Sequence, residues 1–197
     1  MTIHLPTGYR QANPTDAAAM TELVNIAGEG LPLYLWSNMA VEGQSAWDVG
    51  RERARRKSGE FSYKNTIVRE EAGKVAALLV GYSLEDDLAP TDYSDIPSII
   101  VPLQQLEDMA PGTWYVNVLA TYPESRGRGI GSELLSIAEG MAMELSKRAL
   151  SIIVADTNTG ARRLYERHGY SEVAQRAMVK DGWAHPGTQW VLLLKHL

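Results

Sequence analysis

Residues 116–131 join an apolar extended run to a glycine-rich turn and then to a helical repeat, and no other stretch narrows the fold so far. Trp114 to Thr121 is nearly uninterrupted in apolar character, as a central strand is, and Pro123 stops it. Ile130, Leu134, Leu135, Ile137, Ala138, Met141, Ala142 and Leu145 then recur at helical spacing as far as Lys147-Arg148. Between strand and helix stand Arg126, Gly127, Arg128, Gly129, Ile130 and Gly131. Glycines let backbone N–H groups turn toward a ligand without interference from a Cβ. A helix start adds unpaired donors and the positive end of the helix dipole, and the two arginines add charge, so the turn suits a pyrophosphate. A structural turn with solvated arginines fits the same pattern.

Upstream, Tyr9-Arg10-Gln11 reads as a short strand stopped by Asn13-Pro14. Thr15 or Asp16 is expected to cap an amphipathic helix with Ala19, Leu23, Ile26 and Ala27 on one face, ended by Gly28 and Gly30. A second helix follows Pro32 with Tyr34, Leu35, Trp36 and Met39. A third is expected from Ala46 to Lys57, its Arg51, Arg53, Arg55, Arg56 and Lys57 meeting the negative end of the dipole. Thr66 to Arg69 and Val75 to Tyr82 flank Ala72-Gly73 as a β-hairpin. Residues 84–111, rich in Asp, Pro and Ser, read as an insertion or flap rather than core. Downstream, Leu150 to Val154 is a short buried strand. Asn158 opens a helix through His168, closed by Gly169 where a left-handed cap is favoured. Two final strands, Ser171–Val179 and Thr188–Leu194, complete a single expected domain over residues 1–197.

Composition restricts the chemistry. The 197 residues hold no cysteine, which rules out a disulfide framework, a zinc-thiolate site and any covalent route through a protein thiol. His4, His168, His185 and His196 lack metal-ligand spacing, so no metal is expected. No Gly-x-Ser-x-Gly elbow or Ser-x-x-Lys pair is present, which disfavours a serine hydrolase. A formal charge of −5 argues against a nucleic-acid partner, and an RNA-binding reading would rest on the Arg51–Lys57 cluster alone. Residues 1–30 show no basic segment followed by an apolar run, and the longest apolar stretch, Val75 to Val80, is too short to span a bilayer. A cytoplasmic protein with no membrane partner is the expectation.

Three phosphate-binding patterns compete for the glycine turn. A Walker loop needs Gly-Lys-Ser/Thr, which is absent. A dinucleotide fingerprint from Gly127 and Gly129 meets Ser132 where its third glycine belongs, and Asp156 would be the ribose-binding acid. Arg126-x-x-Gly129-x-Gly131 resembles the phosphate loop of the GCN5-related N-acetyltransferase (GNAT) family. Asn158-x-x-Ala161-x-x-Leu164-Tyr165-x-x-x-Gly169-Tyr170 resembles that family's second signature, with Tyr170 in place of its usual Phe. Leu119-x-Thr121-x-Pro123 sits where the family has its Leu-x-Val-x-Pro strand end. The three pieces stand in the family's order and cover about residues 112–171.

The resemblance implies a single-domain α/β (α+β) fold, a twisted mixed β-sheet with helices on both faces and splayed central strands. It implies acetyl-CoA as cosubstrate, with backbone groups of Leu119 and Thr121 pairing with the pantetheine arm. The amides of Arg126, Gly127, Arg128, Gly129, Ile130 and Gly131 would hold the pyrophosphate. Asn158 would bond the pantetheine and Ala161 leave room for it. The implied reaction is direct attack of a primary amine, small-molecule or peptide, on the thioester. Backbone N–H near Leu119 and Ala120 would polarise the carbonyl, and Tyr165 would protonate the departing thiolate. Packing of one helix onto the sheet is the other reading of Tyr165. Glu29, Glu60 and Glu85 are open candidates for a general base. Tyr34, Trp36 and Trp47 suit core packing better than an acceptor pocket. The resemblance also allows a homodimer. A non-catalytic acyl-CoA sensor and a nicotinamide-dependent oxidoreductase remain as alternatives. Charge adds one hint. No Lys or Arg lies between Lys74 and Arg126, where eight carboxylates stand, which fits either a solvated acidic loop or an acidic flap that borders the acceptor entrance and favours cationic amines.

Overall fold

Alternation, helical periodicity and turn residues build seven strands and six α-helices in the computed structural model, which describes residues 5–87, 89 and 91–197. His4 and positions 88 and 90 of the acidic segment fall outside the described residues. The elements are β1 (Tyr9–Gln11), α1 (Ala17–Ala27), α2 (Leu31–Met39), α3 (Ala46–Ala54), β2 (Thr66–Glu71), β3 (Lys74–Ser83) and α4 (Val101–Glu107). They continue with β4 (Trp114–Thr121), α5 (Ile130–Glu144), β5 (Ala149–Ala155), α6 (Thr159–Arg167), β6 (Ser171–Ala177) and β7 (Gln189–His196). The strands follow the order β1-β2-β3-β4-β5-β7-β6. β4 and β5 run parallel, whereas β1–β2, β2–β3, β5–β7 and β6–β7 are antiparallel, so the sheet is mixed. The β4–β5 ladder covers only Trp114–Val116 against Leu150–Ile152. The chain divides into two compact units, Met1–Gly81 with Val118–Ile137 and Tyr82–Asn117 with Ala138–Leu197.

In the first unit, α1 turns Ala17, Met20, Leu23 and Val24 inward, where Trp36, Val49, Val68, Leu78 and Val80 close a core with Ala120. Trp36 stacks on Phe61 at 5.9 Å, a packing role as expected. Asp16 stands at the N-cap position of α1, one of the two expected, but its side chain makes no cap bond to that helix. Pro14 starts a single 3-10 turn before the helix, and Asn13 caps that turn in a reciprocal capping box with Asp16. Arg10 then grips Asp16 through both terminal nitrogens, at 2.8 and 2.9 Å. The third helix stops at Ala54, three residues short of Lys57. Arg51 pairs with Asp48 one turn back, and Arg55 and Arg56 are exposed. Ala72 and Gly73 turn the β2–β3 hairpin with φ of +46° and +76°, the left-handed pair a tight hairpin requires.

In the second unit, β5, β7 and β6 form an antiparallel group in which Leu192 and Leu193 are fully buried. The flap expectation for 84–111 needs correction in its latter half. Residues 101–107 form α4, which packs on β5, β6 and β7, and Ile99, Leu106 and Ala110 are buried. The acidic groups also have internal tasks. Lys147 donates to Asp86 at 2.9 Å and to Leu84 O at 2.8 Å, and Asp108 accepts from Tyr93 and Gln104. Thr113 and Ser151 share a buried hydroxyl contact at 2.7 Å across the β4–β5 pair.

Candidate active site

In the first unit, β4 ends at Thr121 and a 3-10 turn, Pro123–Ser125, carries the chain to the glycine loop. Ala120 points into the core, which leaves Leu119 and Thr121 half-buried on either side of it. Gly127 and Gly129 adopt φ of +73° and +84°, and nothing stands within 4 Å of where a Cβ would sit on either. Both conditions match a turn whose amides face outward, since only glycine reaches these angles without strain. Arg126 to Gly129 are all exposed. The first helical bond here runs from Glu133 N to Gly129 O at 3.1 Å, so the amides before it stand outside the helical ladder at the positive end of a 15-residue helix.

Two details depart from a loop that merely presents every group to an anion. The Arg126 N–H already bonds Pro123 O at 3.3 Å, and the Arg126 Nε bonds Thr121 O at 3.2 Å. Arg128 is clamped to the end of β2: both its terminal nitrogens reach the Glu71 carboxylate, at 2.7 and 3.0 Å. The Arg128 hydrogen bonds hold the Glu71 carboxyl below its usual range, against a smaller upward push from burial. Sequence spacing could not reveal this partner, which lies 57 residues away.

In the second unit, Asn158 follows β5 and caps α6, its Oδ1 accepting from Ala161 N at 3.2 Å. Tyr165 lies on the buried face of α6, 5% exposed, with its ring 6.0 Å from that of Tyr170. Burial alone pushes its hydroxyl well above the ordinary tyrosine range, so it stays protonated at any working pH. Gly169 closes the helix at φ +86°. Asp156 is engaged within its own unit: it accepts from Thr188 N, Thr188 Oγ1 and Gln189 N. Those bonds, with burial opposing them, leave its carboxyl below its ordinary value. They fasten the β6–β7 loop two residues before Asn158. On that loop Trp183 stacks on His185 at 4.6 Å and lies parallel to Trp190 at 5.9 Å. The aromatic set escaped the sequence reading because its members are spread along a loop and a strand with no period.

The sequence profile of the acetyltransferase (GNAT) family matches residues 33–170. The chain belongs to the GNAT acetyltransferase family. As its members do, this acetyltransferase moves an acyl group, and it is an acyltransferase by class. A solved acetyltransferase is 25% identical and superposes with a TM-score of 0.65, the match covering 95% of this chain and 98% of that one. An N-acetyltransferase from Staphylococcus aureus Mu50 is 21% identical with a TM-score of 0.62, over 94% and 98% of the two chains. Ard1 from Thermoplasma volcanium, 13% identical, shares the fold at a TM-score of 0.60 over 96% of each chain. No curated protein matches significantly.

The three general-base candidates of the acetyltransferase, Glu29, Glu60 and Glu85, are exposed in segments between regular elements. Among the described residues no group of three His, Asp or Glu is arranged to hold a metal ion, and no helix is long and apolar enough to cross a membrane.

Proposed function

We propose that this GNAT acetyltransferase transfers the acetyl group of acetyl-CoA to a primary amine by direct attack within a ternary complex. The single observation that carries the reading is the glycine loop, whose outward, left-handed glycines open a long helix in a chain of this family. The amides of Gly127, Arg128, Gly129, Ile130 and Gly131 bind the diphosphate, and Arg126 contributes charge through its exposed guanidinium. Leu119 and Thr121 pair through their backbones with the pantetheine arm, beside which Asn158 and Ala161 also act. The amine nitrogen attacks the thioester carbon, the carbonyl oxygen gathers charge near the N–H groups of Leu119 and Ala120, and the C–S bond breaks. Tyr165 donates its proton to the departing sulfur, the attacking nitrogen gives up one proton to solvent, and solvent reprotonates the phenolate for the next turn. Burial weakens the tyrosine as an acid, so its proton moves only as negative charge develops on the sulfur. A cysteine-free chain leaves no thiol for an acyl-enzyme.

Thermal-shift titration with acetyl-CoA, followed by a thiol-release screen over polyamines, amino acids, aminoglycosides and peptides, tests the reading. A stabilising shift with acetyl-CoA and amine-dependent release of CoA are expected. No shift at millimolar acetyl-CoA would sink the proposal. A shift with no turnover on any amine would favour the acyl-CoA sensor, and a shift with NAD instead would revive the oxidoreductase.

A further inference from the structure

A chain of side-chain contacts frames the glycine loop and is absent from its sequence signature. Arg128, in the loop, makes the forked ion pair with Glu71 at the end of β2. Arg69, two residues back on the same strand, approaches Glu71 at 3.5 Å and lies over the Tyr9 ring at 5.0 Å. The Tyr9 hydroxyl donates to Glu133 Oε2 at 2.5 Å. Glu133 stands in the first turn of α5. The series Arg128, Glu71, Arg69, Tyr9, Glu133 therefore leaves the loop at one end and re-enters the helix it opens at the other. All five residues belong to the first unit.

We infer that Glu71 and Tyr9 are positioning residues for the diphosphate site, and that the Arg128 side chain is a strut of the loop rather than a phosphate ligand. This rests on the reading of the loop as the diphosphate site. A loop with two left-handed glycines is floppy when unliganded, because glycine has the most backbone freedom to lose. Two parallel N–H···O bonds to Glu71 fix the direction of its middle residue. At the other end, a carboxylate one turn from the helix start would repel an incoming diphosphate. The Tyr9 hydroxyl shares that charge and holds it toward β1. Arg126, which has no carboxylate partner among the described residues, is left as the loop's cation for the ligand.

The test is a double-mutant cycle read by calorimetric titration with CoA, on Glu71→Gln, Arg128→Gln and the double variant. Each single change should weaken CoA about three- to fivefold, the scale of a partly exposed bidentate pair, and the double should be no weaker than the worse single. Tyr9→Phe, which removes one hydroxyl, should weaken CoA about two- to threefold, and adding Glu133→Gln should restore it. CoA affinity unchanged or tightened in Glu71→Gln but lost in Arg128→Gln would place Arg128 on the phosphates and overturn the inference. So would additive losses in the cycle, or wild-type affinity in every variant. A wild-type protein that does not bind CoA would instead refute the diphosphate site, and the frame with it. Melting curves of each variant separate either result from misfolding.

Discussion

Replacing Tyr165 by Phe separates packing from chemistry at one atom. The ring is 5% exposed and its hydroxyl has no hydrogen-bond partner among the described residues, burial being the one influence on its ionisation. A hydroxyl that bonds no other described residue adds little to the fold, so removing it while keeping the ring should leave stability within about 1 kcal/mol of wild type, equivalent to about 2–4 °C in Tm for a chain of this size. Catalysis should fall instead. General acids contribute about 10²–10⁴-fold, and a thiolate is a good leaving group, so a loss near the lower end, about 10²-fold in kcat, is expected. CoA affinity should hold within about twofold, because the hydroxyl acts on the sulfur only as the bond breaks. Differential scanning fluorimetry, calorimetric titration and the thiol-release assay read the three quantities on one preparation. A Tm lowered by more than about 3 °C would show that the hydroxyl has a structural partner. Turnover within threefold of wild type would mean that the proton comes from elsewhere.

Two further outcomes are expected. Asn158→Ala removes the α6 cap and should cost about 1 kcal/mol in urea unfolding, whereas Asn158→Asp keeps the cap and should change CoA affinity more than stability; equal losses in both would assign Asn158 to the cofactor alone. The hydroxyls of Tyr9, Tyr122, Tyr165 and Tyr170 all lie above the ordinary value of 10.0, chiefly through burial, with Glu133 adding to Tyr9 and Glu22 to Tyr122. Above pH 10 the unfolded chain releases protons that the native chain retains, so stability is full below that pH and falls as pH rises through it. Urea midpoints should be flat to about pH 9 and drop steeply beyond 10; a midpoint level to pH 11 would show that these groups ionise freely in the fold.

The parts of the molecule legible in the sequence are those governed by short-range rules. The hairpin follows from two left-handed residues at Ala72-Gly73, α5 from its apolar repeat, the α6 cap from Asn158, and the glycine loop before α5 from glycines that take positive φ. Asp16 at the start of α1 was legible too, but the 3-10 turn that Pro14 begins before it, capped by Asn13, is announced by no periodicity. α4 was missed for a different reason. Seven residues with one proline carry too little pattern to outweigh an acidic, proline-rich surround, and only burial against β5, β6 and β7 makes them core.

By itself, then, the sequence determined the order of elements other than α4, the family signature and the exclusion of thiol chemistry, because each is written in neighbouring residues or in composition. Tertiary structure decided what those residues are free to do. It turned Asp156 from a ribose acid into a loop clamp, bound Arg128 to Glu71, and set Tyr9 against Glu133 from 124 positions away. Hydrogen bonds and ion pairs depend on distances in space, and no spacing along a chain encodes which carboxylate will arrive opposite which arginine.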